Sequence, residues 1–238
     1  MTPSRFELTA QKLVYGGEAL GHHQGRVVLV SRALPGERVE AEEVRSAKGV
    51  VHARPLGILE ASPERVEPPC PYFGRCGGCQ YQHLRPDVQA AAKREILRET
   101  LRHIGHIGNT AWDAEIPVHA AHPWNYRNQS RLKAALQPDG QVRLGFFEPE
   151  SHRLFPIDAC LILSPRLNAI LAELRGADWS ERLVGVAPFS EIELLADDRD
   201  DEVRMTLRGS FDARAFDEES RSGLAEMCLR LLPGRCWP

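Results

Sequence analysis

Three of the six cysteines in this chain fall within ten residues, Cys70-Pro71-Tyr72-Phe73-Gly74-Arg75-Cys76-Gly77-Gly78-Cys79. A segment so dense in thiol and glycine carries neither helical nor strand periodicity, so something other than an apolar face must hold its shape. An even cysteine count allows disulfides, but 238 residues bury enough core to fold without them. The favoured reading is a metal site, because glycines let backbone wrap a centre closely and leave amide N–H groups to point at anionic sulfur. Spacing leaves the fourth ligand open. His83 would complete a local zinc site with Cys70, Cys76 and Cys79. Cys160, in Ile157-Asp158-Ala159-Cys160, would instead supply a fourth thiolate and favour an iron–sulfur cluster. Cys228 and Cys236 have no partner motif and read as incidental or buried thiols.

Residues 1–60, before this loop, read as a small β-barrel. Phe6 and Leu8 alternate with polar neighbours, and Gly16-Gly17, Gln24-Gly25 and Leu34-Pro35-Gly36-Glu37 are turns between short runs such as Val27-Val28-Leu29-Val30 and Val50-Val51. That spacing suits a sandwich or a closed barrel of the oligonucleotide-binding type, and periodicity does not separate the two. Residues 61–85 form the cysteine-rich connector, and residues 86–238 a central α+β domain. Pro86 opens a helix to about Ile104, with Val88, Ala92, Leu97, Leu101 and Ile104 on one side and Gly105 and Gly108 ending it. Arg131–Leu136, a Pro138-Asp139-Gly140 turn and Val142–Phe147 read as a hairpin. A helix from about Pro165 to Leu174 and strands near Glu191–Leu195 and Val203–Leu207 follow. The acidic run Asp197–Glu202 lacks the glycine and distal glutamate of a calcium loop and reads as a solvated hairpin tip. Trp112, Trp124 and Trp179 read as core or domain-contact residues. The expected fold class is mixed α+β.

Charge narrows the function classes. The chain has 30 basic and 33 acidic side chains, and the deficit lies wholly in residues 161–238, which carry 10 and 15. Most of the positive charge is arginine, which suits bidentate contact with phosphate. A content of 42% hydrophobic and 26% charged residues excludes a disordered or coiled-coil chain. No apolar run approaches the roughly 18 residues of a spanning helix, and the opening Met1–Glu7 lacks a secretory leader. A soluble, cytoplasmic protein without a membrane partner is expected.

Three segments resemble the RNA 5-methyluridine (uracil-C5) methyltransferases that carry a TRAM domain. Lys12–Gly21 with Ala33–Val39 is similar to the TRAM domain, a small RNA-binding barrel, and Cys70–His83 resembles the family's [4Fe–4S] signature. Tyr126-Arg127-Asn128, Leu144-Gly145-Phe146 and the stretch to Cys160-Leu161-Ile162-Leu163 are similar to its central domain, so the likeness spans roughly residues 5–210. The resemblance implies a [4Fe–4S] cluster on Cys70, Cys76, Cys79 and Cys160, and makes His83 a motif residue rather than a ligand. It implies RNA as partner, ribosomal ahead of transfer. Lys12, Arg26 and Arg38 would be phosphate contacts on the barrel, and Tyr15 a stacking face, while Phe6 reads as core. Arg127, Arg131 and Lys133 would alternate along one strand and share a face.

Family enzymes continue into a Rossmann-like domain that binds S-adenosylmethionine and holds the catalytic groups. These 238 residues contain no Gly-x-Gly turn and no Asp-Pro. The resemblance therefore implies a fragment or truncated product, without a catalytic residue of its own and without methyl transfer when alone. A non-catalytic RNA-binding protein with an iron–sulfur or zinc structural site is the alternative, and an electron carrier is a third reading.

Overall fold

The computed structural model describes residues 4–107, 116–137, 141–177 and 189–209. By contacts the chain gathers into two units, residues 1–74 with 79–120, and residues 75–78 with 121–238.

In the first unit, apolar alternation produces five strands: β1 (Arg5–Leu13), β2 (Glu18–His23), β3 (Arg26–Ser31), β4 (Arg38–Ala47) and β5 (Val50–Glu60). They close in the order β1-β2-β3-β5-β4, with β1 antiparallel to both β2 and β4 and with β3 parallel to β5. Of the two architectures the sequence allowed, the barrel forms. Closure needs β1 to serve two neighbours, and its register with β2 slips between Ala10 and Lys12, the kind of irregularity that bends a strand. Inward residues such as Leu8, Ala10, Val28, Val30, Val39 and Val51 fill the interior. Phe6 is partly buried against that core, in line with its sequence reading, and stacks on His23 with ring centroids 4.5 Å apart.

Residues 61–66 are strapped to the barrel through a buried carboxylate. Glu37 is fully buried and accepts the Leu34 N–H at 2.8 Å, the Ser62 N–H at 3.1 Å, and Arg65 Nε and Nη2 at 2.5 and 2.8 Å. Burial alone would raise its pKa, but Arg65 and the two amides hold it below the usual carboxylate range. Arg65 also donates to the Arg32 carbonyl at 2.8 Å, and the Val66 N–H donates to the His83 carbonyl at 3.0 Å.

Helix α1 (Pro86–His103) starts on a proline, whose missing N–H costs nothing in a first turn. Val88, Ala92 and Ile96 lie against the barrel core. The expected apolar face needs correction here. Leu97 is exposed because nine residues from Val88 is about two and a half turns, which puts it on the opposite side. Ile104 is exposed because it caps the helix from outside it.

The second unit is a five-stranded antiparallel sheet in the order β10-β9-β6-β7-β8, made of β6 (Gln129–Leu136), β7 (Val142–Phe147), β8 (Leu154–Pro156), β9 (Phe189–Ala196) and β10 (Val203–Gly209). Helix α2 (Pro165–Gly176) covers it, with Leu167, Ile170, Leu171 and Leu174 fully buried. Its N-cap is Ser164, whose hydroxyl accepts the Leu167 N–H at 3.2 Å. The acidic run is a hairpin tip, in which Asp197 Oδ1 accepts the N–H groups of Asp201 and Glu202 at 2.8 and 3.0 Å. Trp124 is half-buried. The Pro138-Asp139-Gly140 turn, Gly108, Trp112, Trp179, Cys228 and Cys236 lie outside the described residues. Among those described, no helix is long and apolar enough to cross a membrane.

Candidate cysteine loop and nucleic-acid interface

Cys70, Cys76, Cys79 and Cys160 are half-buried, and none is in a disulfide. Cys70 and Cys79 count with the first unit, and Cys76 and Cys160 with the second. At Cys70 the chain turns, with the Phe73 N–H on its carbonyl at 3.1 Å. The Gly77 N–H then donates to the Phe147 carbonyl at 2.9 Å, and a Cβ there would stand 2.7 Å from that oxygen. Only glycine permits the approach. The next amide, Gly78 N–H, points at Cys76 Sγ at 3.4 Å, the contact that stabilises anionic sulfur. Arg75 lies over the Phe155 ring, 4.8 Å from its centroid. Among the described residues no three His, Cys, Asp or Glu side chains come together closely enough to hold a metal ion. The local feature that suits a sulfur ligand is the Gly78 amide directed at Cys76 Sγ, both within the second unit.

His83 is 1% exposed, with its ring 5.5 Å from that of Phe73, and neither nitrogen makes a hydrogen bond of ordinary geometry. Burial and the Arg65 guanidinium push its pKa down to about 4, against a smaller opposing pull from the Ala33 carbonyl and Glu37.

The basic candidates on the barrel are engaged with neighbours. Lys12 Nζ donates to both Glu99 oxygens at 2.9 and 2.8 Å, Arg38 pairs with Glu7 and Glu60, and Arg26 donates to the Ser46 hydroxyl at 2.8 Å. Tyr15 is 87% exposed, in the β1–β2 turn where Gly16 and Gly17 both take positive φ.

Arg127, Arg131 and Lys133 do not form one continuous stripe. Arg131 and Lys133 share a face of β6, but the strand begins at Gln129, so Arg127 precedes it. The Arg127 backbone joins the segment after Cys160 instead, donating to the Ile162 carbonyl at 2.8 Å and accepting the Ser164 N–H at 2.9 Å. Across the sheet Arg131 meets Glu193 at 3.3 Å, and Lys133 meets Glu191 and lies 5.0 Å from the Phe147 ring centroid. Arg208 reaches Glu193 at 2.6 Å and Glu191 at 3.7 Å. With Arg208, Gln129 and Arg131 around it, Glu193 has its pKa drawn down to about 2.

The sequence reading missed Arg208, Glu191 and Glu193, whose i, i+2 spacing in β9 was the available signal. It also missed Lys93, which lies over the Tyr81 ring at 5.3 Å; helical periodicity from Pro86 could have placed it but not its partner.

No protein-family profile matches the chain. By sequence its homologues are RNA methyltransferases, the specifically named ones acting on uracil C5. The 23S rRNA (uracil(1939)-C(5))-methyltransferase of Halomonas elongata is 38% identical over 199 residues, 82% of this chain and 39% of that protein. That of Alkalilimnicola ehrlichii is 38% identical over 170 residues, 71% of this chain and 38% of that protein. An uncharacterized RNA methyltransferase of Halalkalibacterium halodurans is 34% identical over 169 residues, 71% and 36% of the two lengths. The chain thus spans under two fifths of the length of these three relatives. In fold it is similar to the tRNA (uracil-54, C5)-methyltransferase of Pyrococcus abyssi in complex with S-adenosyl-L-homocysteine, at TM-score 0.54 and 21% identity, over 88% of this chain and 49% of that one.

Proposed function

We propose that this chain is the RNA-recognition and iron–sulfur part of an S-adenosylmethionine-dependent RNA (uracil-C5) methyltransferase, acting in the cytoplasm on ribosomal RNA ahead of transfer RNA. The observation that carries the reading is the 38% identity over 199 residues to a relative named for that reaction on 23S rRNA. The closed barrel with its exposed Tyr15 supports assigning residues 1–60 as a TRAM domain. The glycine-lined loop and four thiols support a [4Fe–4S] cluster on Cys70, Cys76, Cys79 and Cys160.

Methylation at uracil C5 requires a thiolate at C6 and a base for the C5 proton, with the target base out of its stack. S-adenosylmethionine supplies the methyl group when bound. The residues described here take none of those roles; their part is to hold and orient RNA through phosphate and stacking contacts.

The test is binding of the chain to a 23S rRNA fragment and to transfer RNA over a salt series, followed by a search for 5-methyluridine with S-adenosylmethionine present. Tight, salt-sensitive binding without methylation, and methylation once the remaining part of a relative is joined to it, is the expected result. Binding without methylation in the joined protein would favour the non-catalytic RNA-binding alternative, and absence of RNA binding would refute both.

A further inference from the structure

We infer that the open face of the second unit's sheet is a clamp for the RNA sugar–phosphate backbone, with Arg143 and Arg204 as the phosphate contacts that hold its two ends. The inference rests on the RNA-binding reading above and adds to it a surface and a mode of contact.

Side chains alternate across a strand, so pairing register decides which residues share a face. On one side of the sheet Leu132, Leu144, Ile192 and Leu194 are fully buried, and α2 packs there. The other side is polar. Arg131 stands opposite Glu193, and Lys133 opposite Glu191, between β6 and β9. Between β9 and β10, Arg208 stands opposite Glu191 and Thr206 opposite Glu193, which puts Arg204 on the same side. Lys133 stands opposite Gly145 and Ala135 opposite Arg143, so β7 adds a fifth cation to that face. Five cations against two carboxylates leave an excess of three positive charges.

The five are not equivalent. Arg131, Lys133 and Arg208 are held by Glu191 and Glu193. Arg143 and Arg204 are exposed, and their side chains have no ionic or hydrogen-bonded partner among the described residues. They therefore meet a phosphate without giving up a carboxylate. They stand on β7 and β10, to either side of the paired cations. With strands about 4.8 Å apart and residues about 3.4 Å apart along each, the register puts their Cα atoms about 25 Å from one another. This row crosses the strands diagonally, a track for a linear polyanion. The acidic hairpin tip beyond Arg204, residues 197–202, repels phosphate and limits the track at that end.

The aromatic ring on this face, Phe147, is partly buried beneath the Lys133 ammonium, which leaves no platform for a base. Contact is with phosphate, which positions RNA and carries no sequence information.

The experiment measures binding of the full chain to a 23S rRNA fragment and to a scrambled RNA of equal length over a salt series. The proteins are wild type, Arg143→Gln, Arg143→Gln with Arg204→Gln, Glu191→Gln with Glu193→Gln, and Arg175→Gln, with urea unfolding of each. The arginine pair should bind both RNAs roughly 10- to 30-fold more weakly near physiological salt, with the salt slope lowered by about 1.4–1.8 and unfolding unchanged. The glutamate pair should bind more tightly with a steeper slope, a gain that loss of a merely structural contact does not produce. Arg175→Gln, on α2 across the sheet, controls for net charge and should keep the wild-type slope. If the glutamate pair does not fold, the arginine pair decides. Unchanged affinity and slope in the arginine pair, or an equal loss in Arg175→Gln and Arg143→Gln, would overturn the inference alone. So would a loss confined to the 23S fragment, because the face would then read bases. A wild type that binds neither RNA would overturn the RNA reading and the inference together, and its retention of polyglutamate would give the face to an acidic protein.

Discussion

Acidification should destabilise this chain through one buried imidazole, beginning near pH 6.5. His83 is 1% exposed, and burial with Arg65 close by lowers its pKa from 6.5 to about 4. Above pH 6.5 the ring is neutral in the folded and unfolded chain, so its contribution is unchanged there. As pH falls from 6.5 towards 4, the unfolded chain takes up a proton that the folded chain refuses, and stability is lost; below 4 the loss stops growing. Those two values correspond to about 2 kcal/mol lost between pH 7 and pH 5, and about 3 kcal/mol by pH 4. Glu37 contributes at the other end, because its lowered pKa keeps it ionised and paired with Arg65 until the pH falls below the ordinary carboxylate range. The assay is urea unfolding of the full chain at several pH values between 7 and 4, for wild type and for His83→Leu, which cannot titrate. The wild type should lose the stated stability relative to the variant. A direct reading comes from the His83 ring resonances, which should titrate near pH 4. A His83 resonance that titrates near 6.5, or equal pH slopes for both proteins, would refute the argument.

Arg65→Ala should destabilise the chain by about 3–5 kcal/mol in urea unfolding, because it leaves the fully buried Glu37 carboxylate without its partner. Arg65→Ala combined with Glu37→Gln should recover much of that loss, since no buried charge then remains. Tyr15→Ala should weaken single-stranded RNA binding by about 1–3 kcal/mol without changing unfolding, as its ring is 87% exposed and packs on no core; unchanged affinity in a binding titration would remove it from the interface. Cys160→Ser should abolish iron and sulfide retention while His83→Ala leaves them in place. Stoichiometric zinc that survives the first substitution and is lost with the second would establish the zinc site instead.

How much of this was readable from sequence depends on whether a feature is local. Pro86 and the Ser164-Pro165 pair mark helix starts through the chemistry of single turns, and the structure begins α1 and α2 there. The barrel strands were readable from alternation, but closure was not, because nothing local says that β3 pairs with β5 across β4. Leu97 was assigned to the wrong face because hydrophobicity was followed in place of phase; Ile96 keeps the four-residue step from Val88 and Ala92, and Leu97 does not. Arg127 was grouped with Arg131 and Lys133 by their period of two, which holds only inside a strand, and the strand starts at Gln129. Glu37 carried no local sign of its role at all. Its partner Arg65 lies in a segment without periodicity, and only the fold shows that this carboxylate is the bolt between barrel and connector.

The same distinction governs how the basic side chains should be weighed as RNA contacts. Counting them along the sequence gives three on the barrel and three beside the central strand. In the fold, Lys12 and Arg38 already hold carboxylates, and the β6 pair shares Glu191 and Glu193 with Arg208. Exposed ion pairs of this kind are worth about 0–1 kcal/mol each, so a phosphate can displace a carboxylate at small cost. What it cannot escape is the residual charge. By register Arg143 and Arg204 stand on the same face as Arg131, Lys133 and Arg208, so against Glu191 and Glu193 that face carries an excess of three positive charges. Each phosphate neutralised adds roughly 0.7–0.9 to the salt slope of binding, so on the proposed RNA-binding reading this face should contribute a slope of roughly two to three. On the proposed RNA-binding reading the carboxylates of this ladder pre-order its cations and temper their pull, and stacking at sites such as Tyr15 is expected to supply the affinity that salt does not erase.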